Sequence, residues 1–340
     1  MNTKIHKKLT SLVLYFGVFT AFILTGAKIN SQEDTSITID GSSTVYPITA
    51  AVVKDFESTR PEASDIELNV SGTGGGFAKF CAGETEINNA SRPITKAEMD
   101  TCKAAGVAYI ELPIAFDALT VVVNPNNDWL NEISLKKLSQ IWSPEAEQQI
   151  TRWNQVDSSL PNRPLNLYGP GTDSGTFDYF TEAVVGESGS SRSDYLASED
   201  DDVLVQGIEQ DPNALGYFGY AYYEANQNNL KALAIDSGNG AVLPSSETVE
   251  AGKYQPLSRP LFIYINSSAA QDNPALKEFV EFYLNEVPQT ATEVGYVALS
   301  EDGYQLDKLH FTRGKVGTVF DGQAALNLTL GELLRKRANF

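Results

Sequence analysis

Three times along this chain an alternating apolar run breaks at a turn of glycine, serine and threonine, then resumes with helical spacing. Ile37 and Ile39 precede Gly41-Ser42-Ser43-Thr44, and Val45, Ile48 and Val52 follow. Ile66, Leu68 and Val70 precede Ser71-Gly72-Thr73-Gly74-Gly75-Gly76, and Phe77, Phe80 and Cys81 follow. Leu165 and Leu167 precede Gly171-Thr172-Asp173-Ser174-Gly175-Thr176, and Phe177, Phe180 and Val184 follow. Alternation predicts a strand and the wider spacing a helix, so the repeated unit is strand, loop, helix, the building block of an α/β fold. At such a junction the first helical N–H groups lack internal partners, the helix dipole is positive, and glycine lets a ligand approach closely. Three of them could close around one oxyanion.

Residues 1–31 read as an export signal. Lys4, Lys7 and Lys8 make a basic start, Leu9 to Leu24 is uncharged, and Thr25-Gly26-Ala27 offers small residues for cleavage. Left uncleaved, the apolar stretch is long enough to retain the protein at the inner membrane. No cysteine stands there to carry a lipid, and the expected location is the periplasm. The remainder, about 310 residues, is more than one core usually serves, which predicts two lobes. The chain carries a net charge of −19, and the leader contains four lysines and no acid, so the exported part is more negative still. That argues against nucleic acid as a partner. An anion site in so acidic a protein must act locally, through aimed N–H groups and one or two arginines. Cys81 and Cys102 are the two cysteines, and in an exported chain they are expected to pair, closing a loop worth about 3 kcal/mol in the chain-entropy model.

Thr95 and Glu98 form a capping-box pattern that starts a helix running to about Ala105. The run Leu119 to Val123 is nearly all β-branched after its first residue, as in a strand buried on both faces, and Leu261 to Asn266 is a second β-rich run. These two runs serve as the expected hinges. They divide the chain into a discontinuous lobe of residues 35–120 plus 262–340 and an inserted lobe of residues 121–261. The stretch Gly186 to Asp202 reads as a polar loop. Asn273 and Pro274 open a helix whose face of Leu276, Phe279, Val280, Tyr283 and Leu284 reads as core.

Enzyme chemistry finds little support. With His6 in the leader, His310 is the one histidine left, which excludes a multi-histidine metal site and makes a serine triad depend on that residue. Neither a Walker sequence nor a complete dinucleotide fingerprint occurs, and no cofactor is expected. Asp173-Ser174-Gly175 and Asp236-Ser237-Gly238 resemble the aspartic-protease signature, but their flanking residues do not fit it. The run Gly216 to Tyr223 reads as aromatic core beneath a cleft, with hydroxyls reaching polar partners. Arg92, in Ser91-Arg92-Pro93, lies in extended backbone where the loops would converge, and its forked donors suit a tetrahedral oxyanion. Arg192 is a weaker candidate for the same task.

Taken together, Asp40-Gly41-Ser42-Ser43-Thr44-Val45-Tyr46-Pro47, Gly72-Thr73-Gly74-Gly75-Gly76-Phe77, Asn89-Ala90-Ser91-Arg92-Pro93, Tyr168 to Phe177 and Leu215-Gly216-Tyr217-Phe218-Gly219-Tyr220 resemble the phosphate-binding proteins of ABC transporters, the PstS family with its cyanobacterial SphX relatives. The resemblance runs from about residue 37 to about 285. It implies a two-lobed binding protein of type II, each lobe a mixed sheet flanked by helices, that takes up inorganic phosphate as a monomer and delivers it to membrane permease subunits. Carried over by position, it implies donors from Ser43, Thr44 and Val45, from Ser71, and from Ser174, Gly175 and Thr176. Enteric relatives have an aspartate where this chain has Arg92, and an arginine where it has Pro170. The group that accepts the phosphate proton is therefore expected to be Asp117 or Asp173. Receptors for sulfate or molybdate, and a phosphate-ester hydrolase, are the alternatives.

Overall fold

The computed structural model describes residues 36–60, 65–323 and 326–340. The export-signal segment lies outside them. Among the described residues no helix is long and apolar enough to cross a membrane.

Two mixed sheets organise the chain. The first has six strands in the order Val297–Ala298, Tyr109–Ala118, Ser258–Asn266, Ile87–Ala90, Ser36–Gly41 and Asp65–Leu68. Its last three strands are parallel, as the strand-loop-helix repeat requires; Ser258–Asn266 runs antiparallel to its neighbours on both sides, Ile87–Ala90 and Tyr109–Ala118. The second has five strands in the order Lys231–Ala232, Thr120–Val123, Ala214–Phe218, Asn166–Pro170 and Leu196–Ser198. A small third sheet pairs Ala241–Val242, Ala234–Asp236 and Glu132–Ser134.

The chain leaves the first sheet at Ala118 and enters the second at Thr120, and it returns through residues 243–257. Leu119 donates its N–H to Leu257 O at 2.7 Å, and the Tyr254 hydroxyl donates to Leu119 O at 3.0 Å, so the two crossings lie side by side. The strand Ser258–Asn266 belongs wholly to the first sheet, and the return crossing therefore precedes the apolar run beginning at Leu261. A bulge sits opposite it. Leu261 pairs with Ala115 but Phe262 with Pro113, leaving Ile114 as the extra residue beside a proline that has no N–H to offer the ladder.

The helix Tyr46–Thr59 buries Ile48, Val52 and Phe56, with Pro47 in its first turn where no N–H is missed. Thr95 caps the helix Lys96–Ala105 in a full capping box with Glu98. Asn273 caps the helix Pro274–Glu293, whose buried face includes Leu276, Phe279, Val280, Tyr283 and Leu284. Cys81 and Cys102 form a disulfide that ties Gly72–Ala82 to Lys96–Ala105. One segment differs from expectation. The stretch read as a loop to Asp202 contains the strand Leu196–Ser198 and the start of the helix Asp201–Gln210. At the C-terminal helix Leu330–Ala338, Arg337 is buried and donates to Asp307 Oδ1 at 2.6 Å and Glu111 O at 2.8 Å.

Candidate functional site

The loop between Ser36–Gly41 and its helix meets the loop between Asn166–Pro170 and its helix. Thr44 Oγ1 lies 3.0 Å from Thr176 Oγ1, and both side chains are buried. The second loop joins them through Gly74, whose N–H donates to Asp173 O at 2.8 Å. Gly175 is pressed against the same loop. A Cβ there would come within 2.5 Å of Thr73 Oγ1 and 2.7 Å of Ser91 Oγ, contacts that real side chains do not make. The three loops thus converge from two different sheets.

An arginine that sequence reasoning passed over holds the convergence together. Arg259, fully buried, donates through Nη2 to Thr176 Oγ1 at 2.8 Å and Thr44 Oγ1 at 3.4 Å, and through Nη1 to Gly175 O at 3.2 Å. Its Nε and Nη2 also donate to Asp117 Oδ2 at 3.1 and 2.9 Å, while Tyr220 N donates to Asp117 Oδ1 at 2.9 Å. The guanidinium lies 5.7 Å from the Tyr179 ring centre, and the Tyr179 hydroxyl donates to the backbone of Pro256 and Ser258 at the return crossing. When arginine donates to a threonine oxygen, the hydroxyl hydrogen is left to point elsewhere. Here it can serve the opposing threonine, or an anion seated between the two.

Expected residues outside that centre take other roles. Val45 is buried at the head of Tyr46–Thr59, and Ser43 is buried beside it, its hydroxyl donating to Asp201 Oδ2 at 3.3 Å. Ser174 Oγ accepts from Thr176 N at 3.1 Å, capping the third helix. Ser71 turns its hydroxyl to Asp40 Oδ1 at 2.8 Å, alongside the Lys79 ion pair to the same carboxylate, and leaves Thr73 to represent the second loop in the centre. Asp173 contributes its backbone, since the residue is exposed and its N–H is held by Glu199 Oε1 at 3.1 Å.

The fork of Arg92, expected to face an oxyanion, is held in this structure by two carboxylates. Its Nη1 and Nη2 each donate to Glu98 at 2.8 Å, and its Nε to Asp178 Oδ2 at 2.6 Å. Burial alone would lower the pKa of this guanidinium, but Glu98 and Asp178 raise it overall. Arg92, just past the strand Ile87–Ala90, therefore bridges the helix Lys96–Ala105 to the helix after the third loop. Arg192 is likewise engaged: Asp194 takes Nε and Nη2, and the carbonyls of Ile141 and Ile150 take Nη1. Asp117 carries the Arg259 pair, so its oxygens are already engaged. The aromatic run behaves as expected of a packed base, with Tyr217 stacked on Phe180 at 3.7 Å and the Tyr222 hydroxyl donating to Ser43 O at 2.9 Å.

Two signals could have exposed Arg259. Ser258-Arg259-Pro260 repeats the Ser-Arg-Pro of Ser91-Arg92-Pro93, and it sets a charge inside an apolar strand that has no reason to hold one. Among the described residues no group of three or more histidine, cysteine or carboxylate side chains could hold a metal ion.

Residues 26–287 match a family model for a PBP superfamily domain. The chain is 59% identical over 310 residues to Protein SphX of Synechocystis sp. (strain PCC 6803), an alignment spanning 91% of this chain and 92% of that protein. It is 37% identical over 269 residues to the phosphate-binding protein PstS of Staphylococcus haemolyticus, spanning 78% and 82%. Among solved structures, a possible phosphate binding protein from Planctomyces limnophilus aligns at 42% identity with a TM-score of 0.61, over 82% of this chain and 98% of that one. The two mixed sheets flanked by helices are thus the two-lobed, type II binding-protein fold.

Proposed function

Because the chain belongs to the PBP superfamily and stands among its SphX and PstS members, we propose that it binds inorganic phosphate in the periplasm and delivers it to an ABC-type importer. It is a receptor, not an enzyme, and acts as a monomer on the permease subunits. The lobes divide near Leu119 and along residues 243–257, so the discontinuous lobe resumes at Ser258, ahead of the expected boundary at 262. The observation that carries the reading is the buried meeting of Thr44, Thr176 and Arg259, hydroxyl and guanidinium donors drawn from both sheets.

Phosphate entering an open cleft parts the two threonines and receives one hydroxyl from each side. Ser43, Val45, Ser174 and Gly175 frame the same space from the two helix starts, and the positive helix ends favour the anion. Asp117 keeps Arg259 aimed at the threonines. Charge-assisted hydrogen bonds are worth about 1.5–3 kcal/mol each, so a handful exceeds the roughly 8 kcal/mol of a micromolar complex and leaves a surplus to offset ordering and closure.

Titration calorimetry with phosphate, sulfate and molybdate tests the proposal. One-to-one binding of phosphate, at least about a thousandfold tighter than the other two, is expected where buried groups must match the ligand's hydrogen. Equal affinity for sulfate, or hydrolysis of p-nitrophenyl phosphate, would overturn it.

A further inference from the structure

The end of the first sheet away from the anion loops differs in charge from the rest of the chain. From Lys308 to the C-terminus stand six basic residues and two acidic ones, in a chain whose net charge is −19. The loop after the helix Glu301–Thr312 is pinned where Gly317 donates its N–H to Tyr109 O at 2.9 Å, at the start of the strand Tyr109–Ala118. That strand runs in the same direction as Ser36–Gly41, so this end lies opposite Gly41 and the loop that follows it. We propose that it rests on a membrane surface of anionic lipid headgroups, with Val316 as the apolar tip and Lys103, Arg313 and Lys315 around it. The contact is separate from the phosphate site and does not depend on it.

Arg313 and Lys315 are exposed on the loop, and Lys103 is exposed in the last turn of Lys96–Ala105. Among the described residues none of the three forms an ion pair. Lys103 lines a groove with Val316 and Tyr109; Asp100 borders the same groove, but Lys96 holds it. Lys315 Nζ lies 4.7 Å from the centre of the Phe340 ring, which also packs edge-on against His310. Burial lowers the pKa of His310, and the charges of Arg337, Lys315 and Arg313 lower it further, which gathers these cations about one point. Arg337 is neutralised there by Asp307. Arg313 and Lys315 are left to repel each other, and anions from outside the chain relieve that repulsion.

Exposed apolar side chains among the cations decide for lipid over an acidic protein. Val316 is 47% exposed, and Leu309, whose carbonyl accepts from Arg313 N at 3.0 Å, is 38% exposed. A headgroup layer offers anions to the cations and, just beneath, an apolar depth for such a tip. The strand Ser36–Gly41 also starts at this end, so an export signal left uncleaved would meet the same membrane here. Held this way, the receptor turns its oxyanion loops away from the bilayer, toward the compartment that supplies phosphate. Each lysine or arginine near an anionic surface shifts the partition only about fivefold, so the contact is reversible and leaves the receptor free to turn to the permease.

The test is co-sedimentation of the exported protein with vesicles of phosphatidylcholine alone and of phosphatidylcholine with about 30% phosphatidylglycerol. Binding to the anionic vesicles is expected to exceed that to the neutral ones at least about tenfold, and to fall at least about tenfold when salt is raised from about 50 mM to about 300 mM. Lys103→Gln, Arg313→Gln and Lys315→Gln combined should lower the anionic partition about a hundredfold, while phosphate affinity by calorimetry stays within about twofold. Any N-terminal segment contributes equally to the two proteins, so their difference reads the patch. Equal binding to both vesicles, no binding to either, or a triple variant that partitions like the wild type would overturn the proposal. Binding to soluble polyglutamate but not to vesicles would point to an acidic protein instead and overturn it as well. If the triple variant does not fold, judged by its thermal melt, the salt series of the unmodified chain decides alone. Failure of the unmodified chain to bind phosphate would remove the receptor reading and leave the lipid result standing.

Discussion

Arg259 stands directly opposite Asp117 across two antiparallel strands, bonded to it at 2.9 and 3.1 Å with neither side chain exposed. The pairing register sets this relationship, because directly opposed residues point their side chains to the same face of the sheet. The strand Tyr109–Ala118 leads straight into the outward crossing, and Ser258–Asn266 takes up the return. The ion pair thus lies where the two lobes join, and the other donors of Arg259 reach Thr44, Gly175 and Thr176.

Replacing Arg259 by methionine leaves Asp117 buried without its cation, which costs about 3–5 kcal/mol. Urea denaturation of Arg259→Met should register that loss, and calorimetry should detect no phosphate binding. Adding Asp117→Leu should restore most of the stability without restoring binding. Recovered binding in the double variant would show that the pair is structural alone.

Gly175→Ala places a methyl within 2.5 Å of Thr73 Oγ1 and 2.7 Å of Ser91 Oγ. Overpacking of this kind costs about 1–3 kcal/mol, and here it falls on the closed form. Phosphate affinity should drop about tenfold to a hundredfold, while the melting temperature measured without phosphate changes little.

The Arg92 bridge predicts an effect on dissociation. Arg92→Ala removes contacts to Glu98 and Asp178, the second of which lies on the helix from the opposite lobe, and leaves two acids facing each other. Stopped-flow traces should show the phosphate off-rate rising about tenfold with the on-rate nearly unchanged, since variants of one interface differ mostly in dissociation. Abolished binding would mean that Arg92 touches the ligand.

Burial, followed by the charges of Arg337, Lys315 and Arg313, pushes His310 from 6.5 down to about 4. A base whose folded pKa is depressed takes up its proton more readily when unfolded. The stability it contributes is fully present above pH 6.5 and is lost as pH falls toward 4. The urea midpoint of the native chain should therefore fall further between pH 7.5 and pH 5 than that of His310→Asn. Parallel curves would contradict the assignment.

Local patterns were enough to read the strand-loop-helix units, the capping box at Thr95, the Asn273 cap and the pairing of Cys81 with Cys102. Each depends on neighbours in the chain or on the scarcity of a residue type. Ser43, Thr44, Gly175 and Thr176 were legible for the same reason, as parts of loops whose composition states their purpose. Arg92 was legible only as an arginine in a promising place, and its fork went to Glu98 and Asp178. Glu98 is a near neighbour, but Asp178 approaches only once two separate sheets have folded and met. Asp201 lay hidden in the run Glu199-Asp200-Asp201-Asp202, where nothing in composition separates the one buried acid from the others.

What the amino-acid sequence determined by itself was the supply of anion-binding loops and the α/β layering that presents them, because hydrophobic periodicity and turn chemistry act over a few residues. Which charge reaches the centre was decided by the tertiary structure alone. Asp117 and Arg259 are far apart along the chain, and only strand register and the lobe crossing bring them to the same buried face.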